Sequence, residues 1–92
     1  MSEYIAVDVE TGDDPDVVRL VTNLKLALEG PERYANREEG DEGSPLAQFL
    51  FGIDGLAALE ITDRTLVVRR APEVEWHDLV DDITAALKEF FL

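Results

Sequence analysis

The chain contains no cysteine. That absence excludes disulfides, cysteine-rich zinc sites, thiol nucleophiles and any thiolate-held metal or iron–sulfur centre built from its own atoms. Long apolar runs are missing too: nothing approaches the roughly 18 to 20 residues that span a bilayer. The start, Met1-Ser2-Glu3-Tyr4, lacks the basic region and apolar stretch of a secretory signal, so the expected location is cytoplasmic. Positive charge is scarce, with eight basic residues, only two of them lysine, against 21 acidic ones, for a formal charge of −13. Such a surface repels phosphate backbones and anionic membranes, which argues against nucleic-acid and membrane partners. The acids are spread over loops and helix faces; the plain reading is a solvated, salt-adapted surface, and the sharper one is attraction to a basic partner.

What is present is enough apolar material for one core: 46% of 92 residues. A single domain over 1–92 is expected, without repeat or linker. Residues 4–10 alternate Ile5, Val7 and Val9 with Ala6, Asp8 and Glu10, the period of two of a strand with one buried face. Thr11-Gly12-Asp13-Asp14-Pro15-Asp16 is a turn, and residues 17–24, rich in β-branched side chains, form a second, antiparallel strand with Val18, Leu20 and Thr22 on one face. Residues 25–29 suit a helical turn or a strand extension equally, ended by Gly30-Pro31. A short edge strand fits 32–36, and 37–43, with nothing apolar to bury, is expected to be an exposed loop.

Ser44-Pro45 is a helix start, with Ser as N-cap and Pro at the first helical position. Leu46, Phe49, Leu50 and Ile53 then form one apolar stripe, closed by Asp54-Gly55. Residues 56–61 and 65–70 flank Thr62-Asp63-Arg64, a hairpin with a three-residue connection, Leu66 and Val68 sharing one face. Residues 73–92 read as the longest helix, with Trp76, Leu79, Val80, Ile83, Leu87 and Phe90 on its stripe. The fold class that buries every stripe is α+β: two layers, a mostly antiparallel sheet of four to five strands, and two helices on one face.

Chemistry-bearing constellations are thin. His77 is the single histidine and has no Ser or Cys partner legible in the sequence, so an exposed helical histidine is the reading. The carboxylate clusters Asp13, Asp14, Asp16 and Glu38, Glu39, Asp41, Glu42 match no EF-hand loop, and weak cation binding there is the alternative to solvated charge. The glycines form no phosphate loop. Arg64, Arg69 and Arg70 gather around the hairpin, either pairing with the chain's own acids or offering a docking spot for a carboxylate. Trp76 and Phe90 belong to the core stripe, leaving Phe91 and Leu92 as the aromatic and aliphatic candidates for exposure.

From Ser44 onward the chain resembles the N-terminal domain of Nfu-type iron–sulfur scaffold proteins. The run Ser44-Pro45-Leu46-Ala47-Gln48-Phe49-Leu50-Phe51-Gly52-Ile53-Asp54-Gly55-Leu56 is similar to the family's Ser-Pro-Leu-Ala, Leu-Phe and Ile-x-Gly-Val pattern. A hairpin over 56–70, then Glu75-Trp76 where the family commonly has Asp-Trp, and the Phe90-Phe91 pair continue it. Asp13-Asp14-Pro15-Asp16 stands where the family usually has Pro-Asn-Pro-Asn, and Asp63 alone remains of a Gly-Pro-Asp-Phe stretch at the hairpin. In complete scaffolds of this kind a separate domain with a Cys-x-x-Cys motif holds the cluster. The resemblance therefore implies a stand-alone copy of the accessory domain, without cofactor or resident metal of its own, contacting a cysteine-bearing scaffold or apo-client protein.

The expectation is a non-enzymatic interaction module, with Asp13, Asp14, Asp16, Asp63, Arg64 and Phe91 as candidate contact residues. Two alternatives stand beside it: a weak carboxylate-based iron binder, and an acidic protein that occupies a basic partner. Neither a nucleophile–base pair nor a cofactor loop supports an enzyme.

Overall fold

The computed structural model describes residues 5–27 and 30–91. Five strands, β1 (Val7–Thr11), β2 (Val17–Thr22), β3 (Glu32–Tyr34), β4 (Leu56–Thr62) and β5 (Thr65–Arg70), form one sheet in the order β1-β2-β5-β4-β3, with every neighbouring pair antiparallel. Three helices accompany it: α1 (Arg37–Asp41), α2 (Pro45–Leu50) and α3 (Trp76–Phe91). The fold is α+β, as expected. Among the described residues, no helix is long and apolar enough to cross a membrane.

Period-two alternation translates directly into burial on the central strands. Val18 and Leu20 of β2 lie in register with Val68 and Leu66 of β5, which pair with Leu59 and Ile61 of β4, and all six are buried. Thr22, on the same face, is the one buried polar residue among the described residues; its hydroxyl donates to the Arg64 carbonyl at 2.9 Å and is thereby satisfied. On β4 the register slips between Leu56 and Ala58. This irregularity lets Leu56 and Leu59, three apart, both reach the core despite strict alternation elsewhere. The opposite sheet face carries Arg19, Arg33, Arg69 and Glu60, where Arg33 approaches Glu60 to 3.6 Å and Arg19 approaches Glu10 to 3.9 Å.

The structure corrects the sequence reading in several places. Strand β1 starts at Val7, and although Val9 is paired with the buried Leu20, it is 48% exposed. A strand at the sheet edge has a partner on one side only. Tyr4, part of the expected strand, lies outside the described residues, as do Leu28 and Glu29 of the ambiguous segment, whose Leu26 and Ala27 are buried without regular structure.

Residues 37–43, expected to be a loop, contain helix α1. Asn36 caps it by accepting from the Glu39 amide at 2.9 Å, while Glu39 reaches back to accept from the Ala35 amide at 2.9 Å. This reciprocal arrangement resembles a capping box and stabilises a helix too short to persist alone. What the helix buries is a glycine: a Cβ on Gly40 would stand 2.0 Å from Phe51 Cδ2. The helix packs on that ring through bare backbone, which an apolar-residue count cannot detect.

Helix α2 begins as predicted, with the Ser44 hydroxyl accepting from the Ala47 amide at 3.3 Å, but it ends at Leu50. Phe49, assigned to the core stripe, is 40% exposed, whereas Phe51 is buried, edge-on to Tyr34 at 6.2 Å between ring centres. Gly55 (φ +97°) turns the chain into β4 rather than closing the helix, and Val74 would crowd any Cβ there. The hairpin connection is two residues, Asp63 and Arg64, because Thr62 pairs directly with Thr65. Helix α3 starts at Trp76 and buries Leu79, Ile83, Ala86 and Leu87 in the common core.

Candidate interaction surface

The first-strand turn is a structural clasp. Asp14 accepts from the Asp16 amide at 2.9 Å and faces Arg69 at 3.2 Å; Asp16 faces Arg70 Nε at 3.2 Å, and its carbonyl accepts from the Arg70 amide at 3.0 Å. Arg69 and Arg70 are consecutive on β5 and so leave opposite sides of the sheet, gripping the turn from both. The Asp16 amide holds the Asp14 carboxyl below its ordinary range against an opposing desolvation, with Arg69 adding to the lowering. Trp76 Nε1 donates to the Pro15 carbonyl at 2.7 Å, and the Arg70 guanidinium lies 5.3 Å from the centre of the Trp76 ring while donating to the Val74 carbonyl at 2.9 Å. Cation–π contacts between partly buried groups such as these contribute on the order of 1 kcal/mol. The clasp thus ties the turn, the end of β5 and the start of α3 together.

The six candidate contact residues are not gathered into one site. Asp14 and Asp16 are engaged in the clasp, with Asp13 exposed beside them. Asp63 and Arg64 turn the hairpin at the other end of β5, where their carbonyls accept from the amides of Leu26 and Thr22 at 2.6 and 2.8 Å. Phe91 lies at the end of α3, half-buried and packed against the core. The three arginines named with the hairpin are likewise divided, Arg64 at the turn and Arg69 and Arg70 at the clasp. His77 is exposed, with Asp81 one helical turn on at 3.5 Å. Among the described residues, no group of three His, Cys, Asp or Glu side chains converges to hold a metal ion.

The apolar surface lies elsewhere. Sequence reasoning expected Phe90 inside and Phe91 outside, and the structure reverses them: Phe90 is 39% exposed. The helical phase was right, but at the end of α3 the ring faces α2, which presents the equally exposed Phe49; the ring centres are 5.5 Å apart, and Phe91 meets Phe90 edge-on at 5.0 Å. Leu92, the other residue expected to be exposed, lies outside the described residues. Beside this pair runs a groove of about 510 Å³ between α2 and α3, lined by Phe49, Gly52 and Ile53 on one side and by Asp82, Ala85 and Glu89 of α3 on the other.

Comparison with solved structures finds the same fold in protein SAV1430 from Staphylococcus aureus. Its crystal structure superposes with a TM-score of 0.69 at 11% identity, covering 88% of this chain and 96% of that one. The solution structure of the same protein gives 0.61 at 11% identity, covering 88% and 87%. The solution structure of SeR13 from Staphylococcus epidermidis gives 0.55 at 13% identity, covering 90% and 94%. No curated protein matches the chain significantly. The family model for the N-terminal domain of the scaffold protein Nfu/NifU matches residues 7–92, which takes in the clasp, the capped α2 and the Trp76 helix alike. On that match, the chain belongs to the Nfu/NifU scaffold N-terminal family.

Proposed function

We propose that this domain is a non-enzymatic interaction module of iron–sulfur cluster assembly, acting in the cytoplasm by contacting a cysteine-bearing scaffold or an apo-client protein. The observation that carries the reading is membership, across nearly the whole chain, of a family linked to iron–sulfur scaffolding. The donor set supports it from the other side. A cluster needs thiolates, and these 92 residues contain no cysteine. The carboxylates of Asp14 and Asp16 are already committed to Arg69 and Arg70. The ligands for the cargo therefore come from beyond these residues, and what the domain contributes is shape and surface.

A rigid sheet, a clasped turn and an exposed aromatic pair suit that role. The test is affinity capture with the tagged domain from native lysate at physiological salt. Cluster-assembly proteins or iron–sulfur clients are expected among the identified companions, and repeated recovery of none of them overturns the reading.

A further inference from the structure

We infer that the groove between α2 and α3 seats a basic amphipathic helix of a partner protein, its apolar ridge against Phe49 and its cations on Asp82 and Glu89. The inference deepens the proposed function by giving the partner's chemistry, and it rests on that reading only for the partner's identity. Three observations point to it. Phe49 and Phe90 are two of the three large apolar side chains exposed among the described residues, and they touch each other, forming one patch rather than two isolated contacts. Beside Phe49 the groove is lined by Gly52 and Ala85, residues small enough for another backbone to approach closely. Gln48, which also lines the groove, keeps its side-chain amide on the Gly43 carbonyl at 2.9 Å, so that donor is already satisfied.

Charge selects the occupant. Asp82, Ala85 and Glu89 follow one another at three- and four-residue steps along α3, so the two carboxylates sit on one row, about 10 Å apart, with the alanine between them. Lys88 is rotated about 100° from Glu89 and leaves that row acidic. A helix lying along α3 meets both carboxylates with Lys or Arg seven residues apart, and its leucine-like ridge on the intervening face fills the groove. A second copy of this chain is disfavoured, since it brings a formal charge of −13 of its own. An extended strand finds no backbone edge between two helices, whereas the sheet edges belong to β1 and β3.

The test uses the whole domain and three 18-residue peptides: an amphipathic Leu/Lys helix with lysines spaced seven apart, its Leu/Glu counterpart, and a Leu/Lys scramble of identical composition without an apolar face. Binding is followed by calorimetry and by amide chemical shifts. The Leu/Lys helix is expected to bind at least tenfold tighter than either control, with shifts centred on α2 and α3. Ala85→Arg, which obstructs the groove from an exposed lining position, is expected to weaken it at least tenfold while the fold, checked by the amide spectrum, persists. Asp82→Lys with Glu89→Lys is expected to reverse the preference toward the Leu/Glu peptide. Equal binding of the scramble, shifts centred on another surface, or indifference to both variants overturns the inference. If the peptide binds as expected but capture from lysate recovers no iron–sulfur proteins, the groove stands and the proposed function falls. If capture succeeds and the peptide arm fails, the reverse holds.

Discussion

Trp76 Nε1 donates to the carbonyl of Pro15 at 2.7 Å, joining the first residue of the last helix to the turn that follows the first strand. The two residues are 61 positions apart, so this one bond closes most of the chain into a loop. Its energetic weight is modest, since it is exposed and water competes for both groups. Trp76→Phe keeps the ring over Arg70 and removes the donor. It is expected to lower the urea midpoint by an amount equivalent to about 0.5–1 kcal/mol with an unchanged m-value.

Gly40 and Phe51 form a lock in which backbone meets ring. Gly40→Ala places a methyl carbon 2.0 Å from Phe51 Cδ2, closer than any stable contact. Either the ring or α1 must move, and the expected loss is about 1–3 kcal/mol in chemical denaturation. Phe51→Leu in the same chain relieves the clash, so the double variant is expected to lose less than the sum of the singles, a coupling read from the full mutant cycle.

Asn36 caps a helix of a single turn and a half, where each terminal bond is a large share of the total. Asn36→Ala is expected to cost about 1 kcal/mol. Hydrogen exchange of the α1 amides, Glu39 and Gly40 above all, should quicken before any change reaches β2 or β5.

Asp14 gives the clasp a pH dependence of known sign. Its carboxyl titrates lower in the folded chain than its ordinary value of 3.8, chiefly through the Asp16 amide and then through Arg69. The stability it contributes is therefore fully present above the unfolded value and is lost as pH falls through the lower folded one. Asp14→Asn removes this linkage, so the stability gap between the parent and the variant is expected to be widest above pH 4 and to shrink steadily toward pH 2 in denaturation at stepped pH. A gap that widens on acidification contradicts the assignment.

Net charge acts on the molecule as a whole. At a formal −13, raising sodium chloride from about 10 mM to about 0.5 M shortens the Debye length from roughly 30 Å to a few ångströms. The melting temperature is expected to rise with salt as self-repulsion is screened, whereas affinity for the Leu/Lys peptide falls.

Alternation and periodicity, properties a sequence states outright, determined the strand faces of β2 and β5, the Ser44 cap, the phase of α3, and with them the α+β class. They succeed because each rests on neighbours within a few residues and on the general tendency of apolar side chains to leave water. The tertiary structure alone decided that Phe49 and Phe90 face outward while Phe51 goes inside, that Gly40 is buried in a helix, and that Asp14 and Asp16 serve a clasp. Each of those outcomes depends on what stands opposite, a ring or a guanidinium brought from beyond the local segment. Local pattern carries no information about the far partner, and burial is a property of the pair.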